Sequence, residues 1–243
     1  MANSSQPITF EQIMTQTITF IDSAYPEPHN LREFVWSGRL DDQGKLWFDL
    51  HLISKDYYAN EPDDIEDEEE EDDEYTSLAY WQAKDLWNNY HKCILSSTYW
   101  SDEQGFLVGD ANNPFDFSAL NGTIFHIDAE PSLEDEESAF SIYLAGHDAC
   151  ANHKISFNQQ SDEKFHILWQ GDIALFYSGF TEFIHQFKAD LNDVAFDGFY
   201  FPKDWDLDKA IVEFKKVLTD FENYEFVVIN PKHHFPQYKL MRI

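Results

Sequence analysis

His147, Cys150 and His153 stand within seven residues of one another in Gly146-His147-Asp148-Ala149-Cys150-Ala151-Asn152-His153, and imidazole and thiolate are ligand types that zinc accepts. Three such ligands leave a fourth position for a water that the metal can activate, which defines one reading of the chain: a metal-dependent enzyme with zinc as cofactor and no reaction specified. The spacing matches none of the usual zinc patterns, and an ordinary polar turn accounts for the same residues. His91, His233 and His234 read as isolated surface or strand-face residues.

Carboxylate is the second concentration of chemistry. From Glu61 to Glu74, twelve of fourteen residues are Asp or Glu, interrupted by Pro62 and Ile65. Unit charges about 7 Å apart in water repel by roughly 0.6 kcal/mol per pair. The tract therefore stays extended in solvent as a plain insertion, or it meets cations. Asp63, Asp64, Glu66, Asp67, Glu68, Glu69, Glu70, Glu71, Asp72, Asp73 and Glu74 are the candidate partner-binding residues, since closely spaced carboxylates present negative charge to Lys and Arg much as phosphates do. Weak multivalent calcium binding is a further use of such a tract. No acidic segment has the spaced ligands and central Gly of an EF-hand loop.

The whole chain holds 46 acidic against 16 basic residues, a formal charge of -30. Setting the tract aside leaves 34 acids against the same 16 bases, so the acidity is not confined to one insertion. Such a potential repels nucleic-acid backbones and anionic membranes and draws in basic proteins, so neither direct nucleic-acid binding nor membrane binding is expected. Gly-x-Ser-x-Gly, a phosphate-cradling Gly-rich loop, His-Glu-x-x-His and a Rossmann glycine fingerprint are all absent, which weighs against the common enzyme classes. No Lys or Arg precedes Arg32, and Cys93 and Cys150 are too few for a disulfide framework, so a cytoplasmic setting is expected.

The elements that must position these groups are mostly strands. A hairpin places Phe34, Trp36, Gly38 and Leu40 opposite Leu46, Phe48, Leu50 and Leu52 around the turn at Asp41–Gly44. Phe165 to Gly179 alternates without a break, and so long a strand is expected to bend at Gly171. Further strands are predicted over 9–21, 106–108, 123–129, 140–145, 183–189, 194–201 and 225–229. Tyr80, Ala83, Trp87, Tyr90 and Ile94 predict an amphipathic helix over 76–94, and a second one begins at Asp206 with Leu207, Ile211, Phe214 and Leu218 as its apolar stripe. The fold class is α+β, a mostly antiparallel sheet system with about two amphipathic helices in a single domain over 1–243, with 61–74 as an acidic insertion. Phe34-x-Trp36-x-Gly38-x-Leu40 echoes Ile167-x-Trp169-x-Gly171-x-Ile173, which raises the idea of two similar lobes over about 1–120 and 121–243, although Trp- and Gly-rich strands also match by chance.

The expectation is an acidic protein-binding module, an inhibitor or immunity-type protein that masks a basic toxin, nuclease or nucleic-acid-binding protein. Its self-repulsion carries a testable consequence. Raising the ionic strength from about 0.02 to about 0.2 M is expected to raise the Tm in calorimetry, because the shorter Debye length screens like charges. A Tm that falls with added salt contradicts it.

Overall fold

A computed structural model describes residues 16–58, 76–87, 90–97, 105–129, 138–230 and 237–243. In these residues the strands are β1 (Thr17–Ile21), β2 (His29–Leu40), β3 (Leu46–Ser54), β4 (Ile94–Ser96), β5 (Phe106–Gly109), β6 (Thr123–Ile127), β7 (Ser141–Tyr143), β8 (His147–Ser161), β9 (Lys164–Ala174), β10 (His185–Tyr200), β11 (Tyr224–Val228) and β12 (Tyr238–Arg242). The helices are α1 (Ser77–Gln82), α2 (Lys84–Trp87) and α3 (Leu207–Val217). The fold is a mostly antiparallel β-sheet system with two helical regions.

Pairing runs β1-β2-β3-β4-β7-β8-β9-β10, and β10 pairs back onto β1, so the hydrogen-bonded circuit closes. Closure removes most of the free sheet edge. Long strands make the turn between neighbours. On one edge of β10, β9 hands over to β12; on the other, antiparallel β1 hands over to a parallel stretch of β2. β8 likewise begins against β7 and continues between β6 and β9. The circuit draws strands from both halves of the chain, and no division into two similar lobes is visible among the described residues.

Inside the circuit the large rings pack together. Trp36 lies 4.8 Å from Phe196, 4.9 Å from Phe157 and 5.4 Å from Phe165 between ring centroids, in tilted and edge contacts that aromatic quadrupoles favour. α3 caps one side, with Ala210, Phe214 and Val217 buried; Leu207 and Ile211 of the expected stripe lie at its half-buried margin. Its start is as expected, since Asp206 Oδ1 accepts the Lys209 amide at 2.8 Å.

Three departures from the sequence pattern have physical causes. The helix expected over 76–94 is two short pieces, broken at Ala83, and Ile94 opens β4. The Trp81 carbonyl accepts the Ala24 amide at 2.9 Å and the Trp87 indole N–H at 3.0 Å, so tertiary partners occupy the acceptor that the next helical turn requires. The long alternating strand ends at Ala174, beyond which Phe176–Ser178 form a short 3-10 turn. The bend expected at Gly171 lies in the partner instead: β9 passes through Gly171 in register with Phe187, while β8 bulges opposite it, between Ala151 and Lys154. Asn152 takes the left-handed conformation there with φ 51°, which Asn tolerates better than most residues. Likewise, the two strands expected over 183–201 are one strand with a bulge between Leu191 and Val194, where Asp193 has φ 55°.

The bulge turns the His153 ring inward over Gly171. A Cβ at Gly171 would lie 2.7 Å from both His153 Nδ1 and a Phe187 ring carbon, inside van der Waals contact. Gly171→Ala is expected to destabilise the protein by about 2 kcal/mol, read as a lower urea midpoint with an unchanged slope. A neutral effect contradicts this packing.

Candidate partner-binding face

After β9 the chain closes a tight turn. The amides of Ser178 and Phe180 both donate to the Leu175 carbonyl, at 3.0 and 3.1 Å, and Gly179 ends the turn with φ 89°, where a side chain would be strained. The turn holds Phe176 and Tyr177 outward, 48% and 67% exposed. Tyr177 rests against Gly146, where a Cβ would come within 2.5 Å of the Tyr177 Cβ. From there the rings continue. His147 lies 6.4 Å from Tyr177, 4.4 Å from Tyr143 and 5.9 Å from Tyr90 between centroids, and Tyr90 packs edge-on to Tyr143 at 5.7 Å.

Asp148 holds this surface in place. Its buried carboxylate accepts the Ala145 and Gly146 amides at 3.1 and 2.9 Å, and the Tyr177 backbone also favours its ionised form. Burial outweighs these contacts and raises its pKa above the ordinary 3.8. The aromatic face is therefore fixed by backbone hydrogen bonds rather than left to side-chain chance.

The acidic candidates Asp63, Asp64, Glu66, Asp67, Glu68, Glu69, Glu70, Glu71, Asp72, Asp73 and Glu74 lie outside the described residues, but the chain on either side of them is placed. Tyr58 packs edge-on to His91, the neighbour of Tyr90, with centroids 5.5 Å apart. On the other side Thr76 caps α1 by accepting the Ala79 amide at 3.2 Å, and Tyr80 of α1 packs on Phe180 of the 175–180 turn at 5.2 Å. The α1 side of the acidic insertion thus touches the turn that carries the exposed aromatics, while the Tyr58 side ends against His91. The described residues hold 26 acids against 15 bases, on strands, helices and turns alike, so most of the negative excess lies in the remaining segments.

His147, Cys150 and His153 all fall on the strand β8, neither on a polar turn nor on one face. His147 is exposed among the tyrosines, whereas Cys150 and His153 are buried. The Trp169 indole N–H donates to His153 Nδ1 at 3.2 Å, and burial holds the His153 pKa down at about 3, so the ring is neutral and acts as a core acceptor. The Cys150 thiol donates to the Phe140 carbonyl at 3.5 Å. Among the described residues no three His, Cys, Asp or Glu side chains are grouped as metal ligands would be.

A group the sequence reading missed is Asp49 on β3. It is buried with His51 on the outer face of the strand, paired with Arg39 Nε at 3.0 Å and receiving the Ser97 hydroxyl at 3.2 Å. Gly105, with φ 62°, packs over it so closely that a Cβ would lie 2.7 Å from Asp49 Oδ1. Burial raises the Asp49 pKa from 3.8 to about 6, against the opposing pull of Arg39 and Ser97. The strict apolar alternation of 46, 48, 50 and 52 gave no sign that the other phase was covered as well.

No family model, curated protein or solved structure matches the chain, so the reading of this face rests on its own geometry.

Because folding raises the Asp49 pKa, the native state holds the proton more tightly than the unfolded chain, and the resulting stability is full below pH about 4 and lost as pH rises through 6. The stability of wild type minus that of Asp49→Asn is expected to fall by roughly 2 kcal/mol between pH 4 and pH 7 in paired urea titrations. A difference that grows with pH contradicts a carboxyl whose proton is held by burial.

Proposed function

We propose that the chain is an acidic protein-binding module that recognises a basic protein, with Phe176, Tyr177, Tyr143 and His147 as its anchor surface and the 63–74 carboxylates as its electrostatic arm. The observation that carries this reading is the exposed pair Phe176 and Tyr177 on a hydrogen-bonded turn that packs, through Phe180, on Tyr80 of the helix following the most acidic segment of the chain. Exposed aromatics with a charged surround suit interface hot spots, because large rings lose little conformational entropy when covered. Carboxylates act at longer range: they speed encounter with a cationic surface and lose that effect as salt rises. Masking of a basic toxin, nuclease or nucleic-acid-binding protein is the form of activity this division of labour fits. Both cysteines are free and buried, in keeping with a reducing cytoplasmic setting. No helix among the described residues is long and apolar enough to cross a membrane.

The test uses the full chain as bait at about 0.05 and about 0.15 M salt. Wild type is expected to retain one basic protein stoichiometrically. Phe176→Ala with Tyr177→Ala is expected to raise its dissociation rate at least about tenfold with association little changed. Replacement of the 63–74 acids by Asn and Gln is expected to slow association and flatten its salt dependence. Retention of no cationic protein at either salt, or kinetics indifferent to both sets of changes, overturns the reading.

A further inference from the structure

A second cleft opens where the end of β10, the start of α3 and the ends of β11 and β12 come together. It encloses about 590 Å³, and four rings form much of its wall: Tyr200, Phe201, Trp205 and Tyr238. Phe201 is backed by edge contacts with Phe214 at 6.1 Å and Phe226 at 5.9 Å between centroids, and Trp205 is buried, so these walls are fixed by the core behind them. A concavity of this size, mostly apolar with a few polar groups, has the composition of a small-molecule site.

The rings and the charges beside them agree on the sign of a ligand. Aromatic faces carry negative potential and attract cations. Two rings of this cleft already do so with the protein's own ammonium groups: Lys209 Nζ stands 4.0 Å from the Trp205 centroid, and Lys239 Nζ, paired with Asp197 at 2.8 Å, stands 5.8 Å from that of Tyr200. Asp206 and Asp208 line the cleft at the first turn of α3. Asp206 accepts the Lys209 amide on one oxygen, and Asp208 makes no hydrogen bond or ion pair among the described residues. Lys203 is the one cationic residue of the lining among the described residues. The lining therefore holds two carboxylates against one ammonium, on a chain of formal charge -30 whose field raises the concentration of cations at its surface.

We propose that this cleft binds a small organic cation: an aromatic or branched apolar body seated against Phe201, Tyr238 and Ile229, with its ammonium group at Asp208 and the second oxygen of Asp206. An inorganic cation makes no use of the rings, and an anion meets two carboxylates; an ammonium on an apolar body uses both features of the wall. Lys203 opposes such a ligand, which gives its removal a sign opposite to that of removing Asp208. The site is independent of the partner-binding face.

The probes are 2-naphthylmethylamine, 2-naphthylmethanol and 2-naphthoate, which share a ring system and differ in the charge of the head group. Calorimetric titration of the full chain at about 0.15 M salt is expected to give the amine binding at one per chain, at least about tenfold tighter than either other probe, with the Trp205 indole N–H resonance moving on saturation. Asp208→Asn is expected to weaken the amine at least about threefold and Lys203→Gln to tighten it several-fold, both at exposed positions and with thermal melts close to that of wild type. Asp162→Asn, in the exposed turn between β8 and β9, removes the same charge elsewhere and is expected to bind the amine as wild type does. Equal affinity for the alcohol, tighter binding of the naphthoate, or a Lys203→Gln variant that binds the amine more weakly overturns the proposal. A loss at Asp162→Asn equal to that at Asp208→Asn also overturns it, because the amine would then answer to the overall charge alone.

Discussion

A long β-strand can serve two neighbours only if it turns, and the closed circuit depends on β8 and β10 doing so without exposing their backbones. The turn in β8 is made at Asn152, whose left-handed conformation places two residues, Asn152 and His153, opposite the single Gly171. Because Gly171 has no side chain, the His153 ring occupies the space above it and accepts a hydrogen bond from Trp169. One bulge, one missing side chain and one neutral histidine thereby keep Cys150, His153, Ile155 and Phe157 all facing inward although the strand changes phase between them. The interior that this geometry closes is filled largely by rings, and Phe176 and Tyr177 are left outside it.

That arrangement explains why the exposed aromatics sit where they do. The alternation of β9 points alternate residues inward as far as Ile173, and the chain then leaves the sheet in a hydrogen-bonded turn that carries Phe176 and Tyr177 out of the core. Asp148, at the start of β8, binds the preceding loop and so connects the sheet to this turn. In the proposed role this rigidity matters, because an anchor that is already in place loses less freedom when a partner covers it.

Much of this was legible in the residues. The 34–52 hairpin, the Asp206 cap and the inward phase of Phe165, Ile167 and Trp169 follow from alternation and capping chemistry that act locally. β8 was not legible, because its inward positions before the bulge are Asp148 and Cys150, the first after it is His153, and the phase shifts at Asn152; polar residues out of phase read as a turn. The break at Ala83 was hidden for a different reason, since it arises from the distant Ala24 amide and from an indole rather than from anything in the helix itself. Of the candidate site, the acidic tract was plain in the sequence and the metal-type cluster was suggested by residue type and proximity alone. The exposed Phe176–Tyr177 turn was concealed, because both residues continue an apolar pattern that belongs to the core only as far as Leu175.

The most direct test of recognition at the aromatic face is a resonance-by-resonance titration of the full chain with a short lysine-rich polypeptide. Division of labour between a rigid aromatic anchor and an electrostatic arm requires that the signals of Tyr143, His147, Phe176 and Tyr177 shift together, saturate, and return to their free positions as salt is raised. Binding that leaves those four signals unmoved contradicts it, because the cationic chain would then be held by diffuse charge without any contribution from the face.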